Sequence, residues 1–173
     1  MTLQERARAI RLAAFDVDGV MTDGTVYLGA DGEVFKAFNI LDGQGVKLLQ
    51  AENIAVAIIT GRTSGSVAVR AKELDIEHVV QGSKDKLEDL RTLAAKLSIG
   101  LEQCSFMGDD LADLEAMRHC GLAVAVPNAV GAVRDVAHWS TSTAGGRGAV
   151  REFCDRMLAW RGQPAQVAAV EPR

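Results

Sequence analysis

The chain has 173 residues, 48% of them apolar, which suits one domain with a substantial core. Its formal net charge of −4 argues against a nucleic-acid binder, a class that ordinarily carries a basic stripe. There is no uncharged apolar run of about 18 residues to cross a membrane, and the opening MTLQERARAIRL lacks the apolar centre of a secretory signal.

In chain order, short β-like runs alternate with helical patterns, the signature of a doubly wound, Rossmann-like α/β sheet. Strands are expected at Leu12–Val17, Ile54–Ile59, His78–Val80, Cys104–Met107 and Leu122–Val126, each apolar along most of its length as in a parallel sheet covered on both faces. Helical spacing falls near 43–52, 64–74, 84–98, 110–119 and 129–135. A last helix over 148–160 aligns Val150, Phe153, Cys154, Met157 and Leu158 on one face. Residues 25–38, TVYLGADGEVFKAF, break the alternation: two β-rich runs flank Ala30-Asp31-Gly32, a hairpin signal directly after the first strand. The core spans about 10–160, and 161–173 is expected to be a flexible tail of the same single domain. Cys104, Cys120 and Cys154 form neither an even set nor a metal pair and read as reduced, partly buried small hydrophobes of a cytoplasmic protein.

Ligands of open α/β sheets bind beyond the carboxyl ends of the strands. Asp16 and Asp18 follow the first strand, Thr60, Gly61 and Arg62 the second, Ser83, Lys84 and Lys86 the third, Gly108, Asp109 and Asp110 the fourth. Two carboxylates two residues apart repel each other unless a cation lies between them, and hard oxygen ligands suit Mg²⁺. One of the pair could then attack phosphorus while the other handles protons. Thr60, the Gly61 amide and Lys86 are the donors that a phosphoryl group needs, and Asp109 is a further metal ligand. Each feature also has a plainer reading: a solvated turn before Gly19, a helix cap at Thr60, a solvated lysine, acidic residues favouring a helix N-terminus.

The ordered set FDVDGVMTDG, IITGR, the lysine of GSKDKLEDL, and MGDDLADL resembles the haloacid dehalogenase-type phosphatase superfamily over about residues 10–160. The resemblance implies a nucleophile at Asp16, a general acid/base at Asp18, and Mg²⁺ on Asp16, the Asp18 backbone carbonyl and Asp109. It also implies phosphoryl binding by Thr60 and Lys86, with Asp110 and Asp113 in support. FNILDGQGVKLL, VRAKELDIEHVVQG and AGGRGAVREFCD are most similar to the 3-deoxy-D-manno-octulosonate 8-phosphate (KDO 8-phosphate) phosphatase family. That implies hydrolysis of KDO 8-phosphate on the way to lipopolysaccharide, a homotetramer with central hairpins, and a tail that reaches a neighbouring subunit's site.

Arg62 suits the carboxylate of such an acidic sugar. It favours KDO over the nine-carbon, sialic-acid-type 9-phosphates of related capless enzymes. Arg147 reads either as a group facing the substrate or a neighbouring subunit's tail, or as a solvated residue of a flexible glycine-rich entry to the last helix. Arg70 and Lys72 read as a solvated helix face or as groups reaching across an interface. The intervals between motifs leave no room for a cap domain. An open site and an apolar hairpin face, with Val26, Leu28, Val34 and Phe38 as candidates, therefore point to a lid supplied by another subunit. A receiver-type phosphoacceptor module uses similar residues, but there the second acidic cluster precedes the lysine. A non-catalytic binding relative is the other alternative, although every motif position holds a competent residue.

Overall fold

The computed structural model describes residues 1–162, and the tail readings lie outside the described residues from 163 onward. In chain order the elements are α1 (Leu3–Ala9), β1 (Leu12–Phe15), β2 (Tyr27–Gly29), β3 (Gly32–Phe35), α2 (Ile40–Ala51), β4 (Ala55–Thr60), α3 (Gly65–Glu73) and β5 (His78–Gln81). They continue with α4 (Lys86–Lys96), β6 (Cys104–Gly108), α5 (Leu114–His119), β7 (Leu122–Ala125), α6 (Gly131–Val136), β8 (Trp139–Ser140) and α7 (Ala149–Trp160). Six strands form one sheet in the order β5-β4-β1-β6-β7-β8, and every neighbouring pair is parallel.

The sequence pattern explains the layers. All four residues of β1 are buried, because the strand is covered on both faces and paired on both edges. α7 buries the five residues expected from its spacing, and Phe153 meets Phe15 edge to face at 5.5 Å. α1, α2 and α7 pack together on one side, while α4, α5 and α6 are neighbours in a second group. Asp42 on α2 ties the first layer by accepting from the Arg151 amide at 2.8 Å. The three cysteines are buried and unbridged.

The insert after β1 is the expected hairpin. Gly29 pairs with Gly32 around Ala30-Asp31, and Gly32 takes φ +112°, where a Cβ would be strained. Between Asp18 and Thr60 stand this hairpin and α2, and between Thr60 and Lys86 stand α3 and β5, so no cap is inserted. Val26, Leu28 and Val34 are exposed as expected. Phe38 is not: it packs half-buried against the core, with the Arg70 guanidinium 5.9 Å above its ring. Arg70 is thus no solvated residue: its side chain is largely covered, donates to the Asn39 carbonyl at 3.0 Å and pairs with Glu73 at 2.8 Å.

Two elements had no counterpart in the expectations. α1 carries a capping box in which Thr2 and Glu5 satisfy each other's backbone amides. β8 is a two-residue edge strand against Val124 and Ala125, and its Trp139 packs at right angles on Trp160.

Candidate active site

The strand order reverses at β1, so a crevice opens where its end lies between those of β4 and β6. There a cavity of about 290 Å³ is lined by Asp16, Asp18, Thr60, Gly61, Arg62, Lys86, Asp109, Asp110 and Asp113. Asp16 continues the β1 ladder by one residue, its amide donating to the Met107 carbonyl at 3.0 Å. Three successive amides, of Val20, Met21 and Thr22, then converge on the Val17 carbonyl and fold the loop back tightly. Gly19 sits at φ +90°, and a Cβ there would come 2.0 Å from Asp109 Oδ2. A glycine at this point therefore lets the β1 loop close against the β6 loop.

Asp113 is fully buried and uses both oxygens. Oδ1 accepts from Lys86 Nζ at 2.6 Å, while Oδ2 accepts from the amides of Asp109 and Asp110 at 2.9 and 3.1 Å. One carboxylate thus fixes the Asp109 loop and aims Lys86 into the cavity. Lys86 Nζ also lies 2.8 Å from Asp16 Oδ1, at ion-pair distance but without hydrogen-bond alignment. Lys86 can reach inward because α4 begins with it, capped by the Asp85 side chain on the Glu88 amide. Asp110 caps the turn that follows, accepting from the Leu111 amide. Thr60 is buried at the end of β4, so it is no helix cap, and Gly61 and Arg62 form the exposed rim.

Asp16, Asp109 and Asp113 each bring a carboxylate oxygen within 4.8 Å of the others. Burial, with Asp113 alongside, raises the Asp16 pKa to about 6 against the pull of Lys86. Burial, then Asp16, Asp113 and Asp110, raises Asp109 to about 7. Burial works against the charge on Lys86, but Asp16 and Asp113 outweigh it and raise its pKa. Asp16 Oδ1 and Asp109 Oδ1 are buried with no hydrogen-bond partner among the described residues. Crowded carboxylates with orphaned oxygens fit a hard divalent cation, and Asp113, whose oxygens are committed, fits the supporting role.

Arg147 is not brought into this cavity. Gly145 and Gly146 tuck under the β1 loop, and the Arg147 side chain emerges 71% exposed, 3.5 Å from Asp23. Asn128 had no place in the sequence reading. Its Nδ2 donates to the Gly19 carbonyl at 2.8 Å and its Oδ1 accepts from the Gly145 amide at 2.9 Å, a bridge that fastens the glycine-rich segment to the β1 loop. The strand-end rule, applied to the fifth strand as well as the first four, would have pointed to it. Lys36 and Glu33, from the hairpin, also went unmarked. Lys36 Nζ contacts Asp18 Oδ1 and lies 3.0 Å from Glu33 Oε2.

A family model described as haloacid dehalogenase-like hydrolase matches residues 76–153. The 3-deoxy-D-manno-octulosonate 8-phosphate phosphatase KdsC of Yersinia pestis is 48% identical over 154 residues, 89% of this chain and 82% of its own length. The crystal structure of the corresponding Moraxella catarrhalis phosphatase, in complex with magnesium, phosphate and KDO, superposes with a TM-score of 0.89 at 44% identity. It covers 92% of this chain and 91% of that one. A probable YrbI family phosphatase from Pseudomonas syringae gives 0.90 at 51% identity over 92% and 91%.

Proposed function

Since the chain belongs to the haloacid dehalogenase-like hydrolases, among the 3-deoxy-D-manno-octulosonate 8-phosphate phosphatases, we propose that it hydrolyses KDO 8-phosphate to KDO and inorganic phosphate through an aspartyl phosphate on Asp16. The observation that carries this reading is the convergence of Asp16, Lys86, Thr60 and Asp109 in one cavity, in a chain about half identical to phosphatases of that name.

Asp16, Asp109 and the Asp18 backbone carbonyl would hold Mg²⁺, which when bound offsets phosphoryl charge and orients the group. Thr60, the Gly61 amide and Lys86 hold the phosphoryl oxygens. A carboxylate oxygen of Asp16 bonds to phosphorus as the bond from phosphorus to the sugar oxygen breaks, and that oxygen takes the Asp18 proton. The Asp18 carboxylate then takes a proton from the water that attacks phosphorus, and Asp16 leaves as a carboxylate with inorganic phosphate released. Arg62, half exposed at the rim, is a cation placed to meet the sugar carboxylate.

Replacing Asp16 by Asn removes the nucleophile and should lower turnover by at least about a thousandfold. Activity within tenfold of wild type in that variant would reject the aspartyl-phosphate route. A panel of eight- and nine-carbon acidic sugar phosphates, ranked by kcat/KM, tests the substrate, with KDO 8-phosphate expected first.

The enzyme is further proposed to work in the cytoplasm, in keeping with its unbridged cysteines. It is also proposed to work as a homotetramer in which subunits close one another's sites. Leu28 at 70%, Val34 at 63% and Phe35 at 49% exposure give the hairpin an apolar surface that favours association.

A further inference from the structure

Lys36 stands one residue beyond β3, and its amide donates to Ser66 Oγ at 3.3 Å. Its side chain is only 1% exposed, rare for lysine unless the charge is paired. Here the pairing is double. Nζ contacts Asp18 Oδ1 on one side and Glu33 Oε2 at 3.0 Å on the other. Glu33 is itself anchored, accepting from Ser64 Oγ through Oε1 and from Arg62 Nη2 through Oε2 at 3.5 Å. The ammonium is therefore held from the hairpin side and from the start of α3, and it holds one oxygen of Asp18. The other oxygen, Asp18 Oδ2, is buried and has no hydrogen-bond partner among the described residues; Arg62 Nε stands 3.9 Å from it.

We infer that Lys36 is a positioning residue for Asp18: it clamps Oδ1 and thereby leaves Oδ2 as the oxygen that exchanges the proton with the leaving group. The inference rests on the proposed acid/base role of Asp18. Clamping one oxygen serves both half-reactions, because the proton resides on the other. In the first, Oδ2–H gives its proton to the sugar oxygen as the bond to phosphorus breaks. In the second, Oδ2 receives a proton from the attacking water. An unclamped carboxyl at the end of a short side chain would rotate among several orientations, most of them unproductive.

The test uses leaving groups of different demand. An alkoxide must be protonated as it departs, whereas p-nitrophenolate departs without help. The ratio kcat/KM reports steps up to departure of the alcohol and excludes hydrolysis of the aspartyl phosphate. Wild-type enzyme and the Lys36→Met variant are compared on KDO 8-phosphate, on ribose 5-phosphate, which lacks a carboxylate, and on p-nitrophenyl phosphate.

Lys36→Met should lower kcat/KM for both sugar phosphates by roughly ten- to a hundredfold. The ratio of sugar to p-nitrophenyl phosphate should fall at least about tenfold. In an Asp18→Asn background the same substitution should change that ratio little, as expected of two residues acting as one unit. Equal losses on all three substrates, a loss confined to KDO 8-phosphate, or no loss would each overturn the assignment. If the single variant does not fold, Lys36→Met combined with Glu33→Gln, which removes one charge of each sign, is read in the same way. Failure of the underlying reading is separable, since it would appear as an Asp18→Asn enzyme whose ratio of sugar phosphate to p-nitrophenyl phosphate matches that of wild type.

Discussion

Gly145→Ala is the substitution on which steric contact, stability and chemistry meet. A Cβ on Gly145 would lie 1.8 Å from the Gly19 carbonyl oxygen and 2.9 Å from that of Thr22, both backbone atoms that cannot swing aside. Bringing the closer contact out to 3.0 Å, the shortest a Cβ tolerates, takes a movement of about 1.2 Å in a tightly packed segment. Overpacking of this kind costs about 1–3 kcal/mol. The hydrogen bond that the Gly145 amide donates to Asn128 Oδ1 is strained by the same displacement, adding about 1 kcal/mol. A loss of about 2–4 kcal/mol lowers Tm by roughly 5–12 °C in a chain of this length. Gly19 lies in the loop that carries Asp16 and Asp18, and a shift of about 1 Å in catalytic groups can cost on the order of a hundredfold in rate. Calorimetric Tm and kcat on KDO 8-phosphate are the assays. Gly131→Ala, whose Cβ would meet nothing within 4 Å, is the control and should match wild type in both. A Gly145→Ala protein with Tm within 2 °C and kcat within threefold of wild type, values about the scatter expected of a neutral substitution, would refute the packing argument.

The raised pKa values predict an unusual pH dependence. Asp16 and Asp109 hold protons up to about 6 and 7 in the folded chain, against an ordinary carboxylate value of 3.8. Between those limits the folded state binds more protons than the unfolded one, so stability in EDTA should fall as pH rises from about 4 to about 7. Mg²⁺ should replace the protons, so its effect on Tm should be larger at pH 7.5 than at pH 5; an equal effect would count against the carboxylate cluster as the ion's site. Leu28→Asp with Val34→Asp places charge on the exposed hairpin face and should shift the proposed homotetramer toward the 18.4 kDa monomer in light scattering, with loss of activity. A wild-type protein that is monomeric and fully active would remove the shared-lid argument.

Much of the site was legible because strand ends are legible. β1, β4, β5 and β6 are short apolar runs that stop at polar groups, and the parallel topology gathers those stops on one edge. Asp16, Thr60, Lys86 and Asp109 could thus be grouped without coordinates. α1 also carries a readable signal, the Thr2-Leu3-Gln4-Glu5 capping box, ahead of a helix too short to show a clear apolar period. The two residues of β8 carry too little pattern to register.

Periodicity and residue order determine which groups share the sheet edge, because alternating strands and helices admit few right-handed arrangements of a parallel sheet. They leave the direction of individual side chains open. Lys36, in an apolar hairpin run, turned inward to Asp18, while Arg147, a candidate substrate contact in the glycine-rich entry to the last helix, turned outward to Asp23. Phe38 went under Arg70 instead of onto the hairpin surface. Those choices rest on contacts between residues distant in the chain, where a buried charge must find its partner and a glycine must admit a neighbouring backbone, and only the tertiary structure brings such partners together.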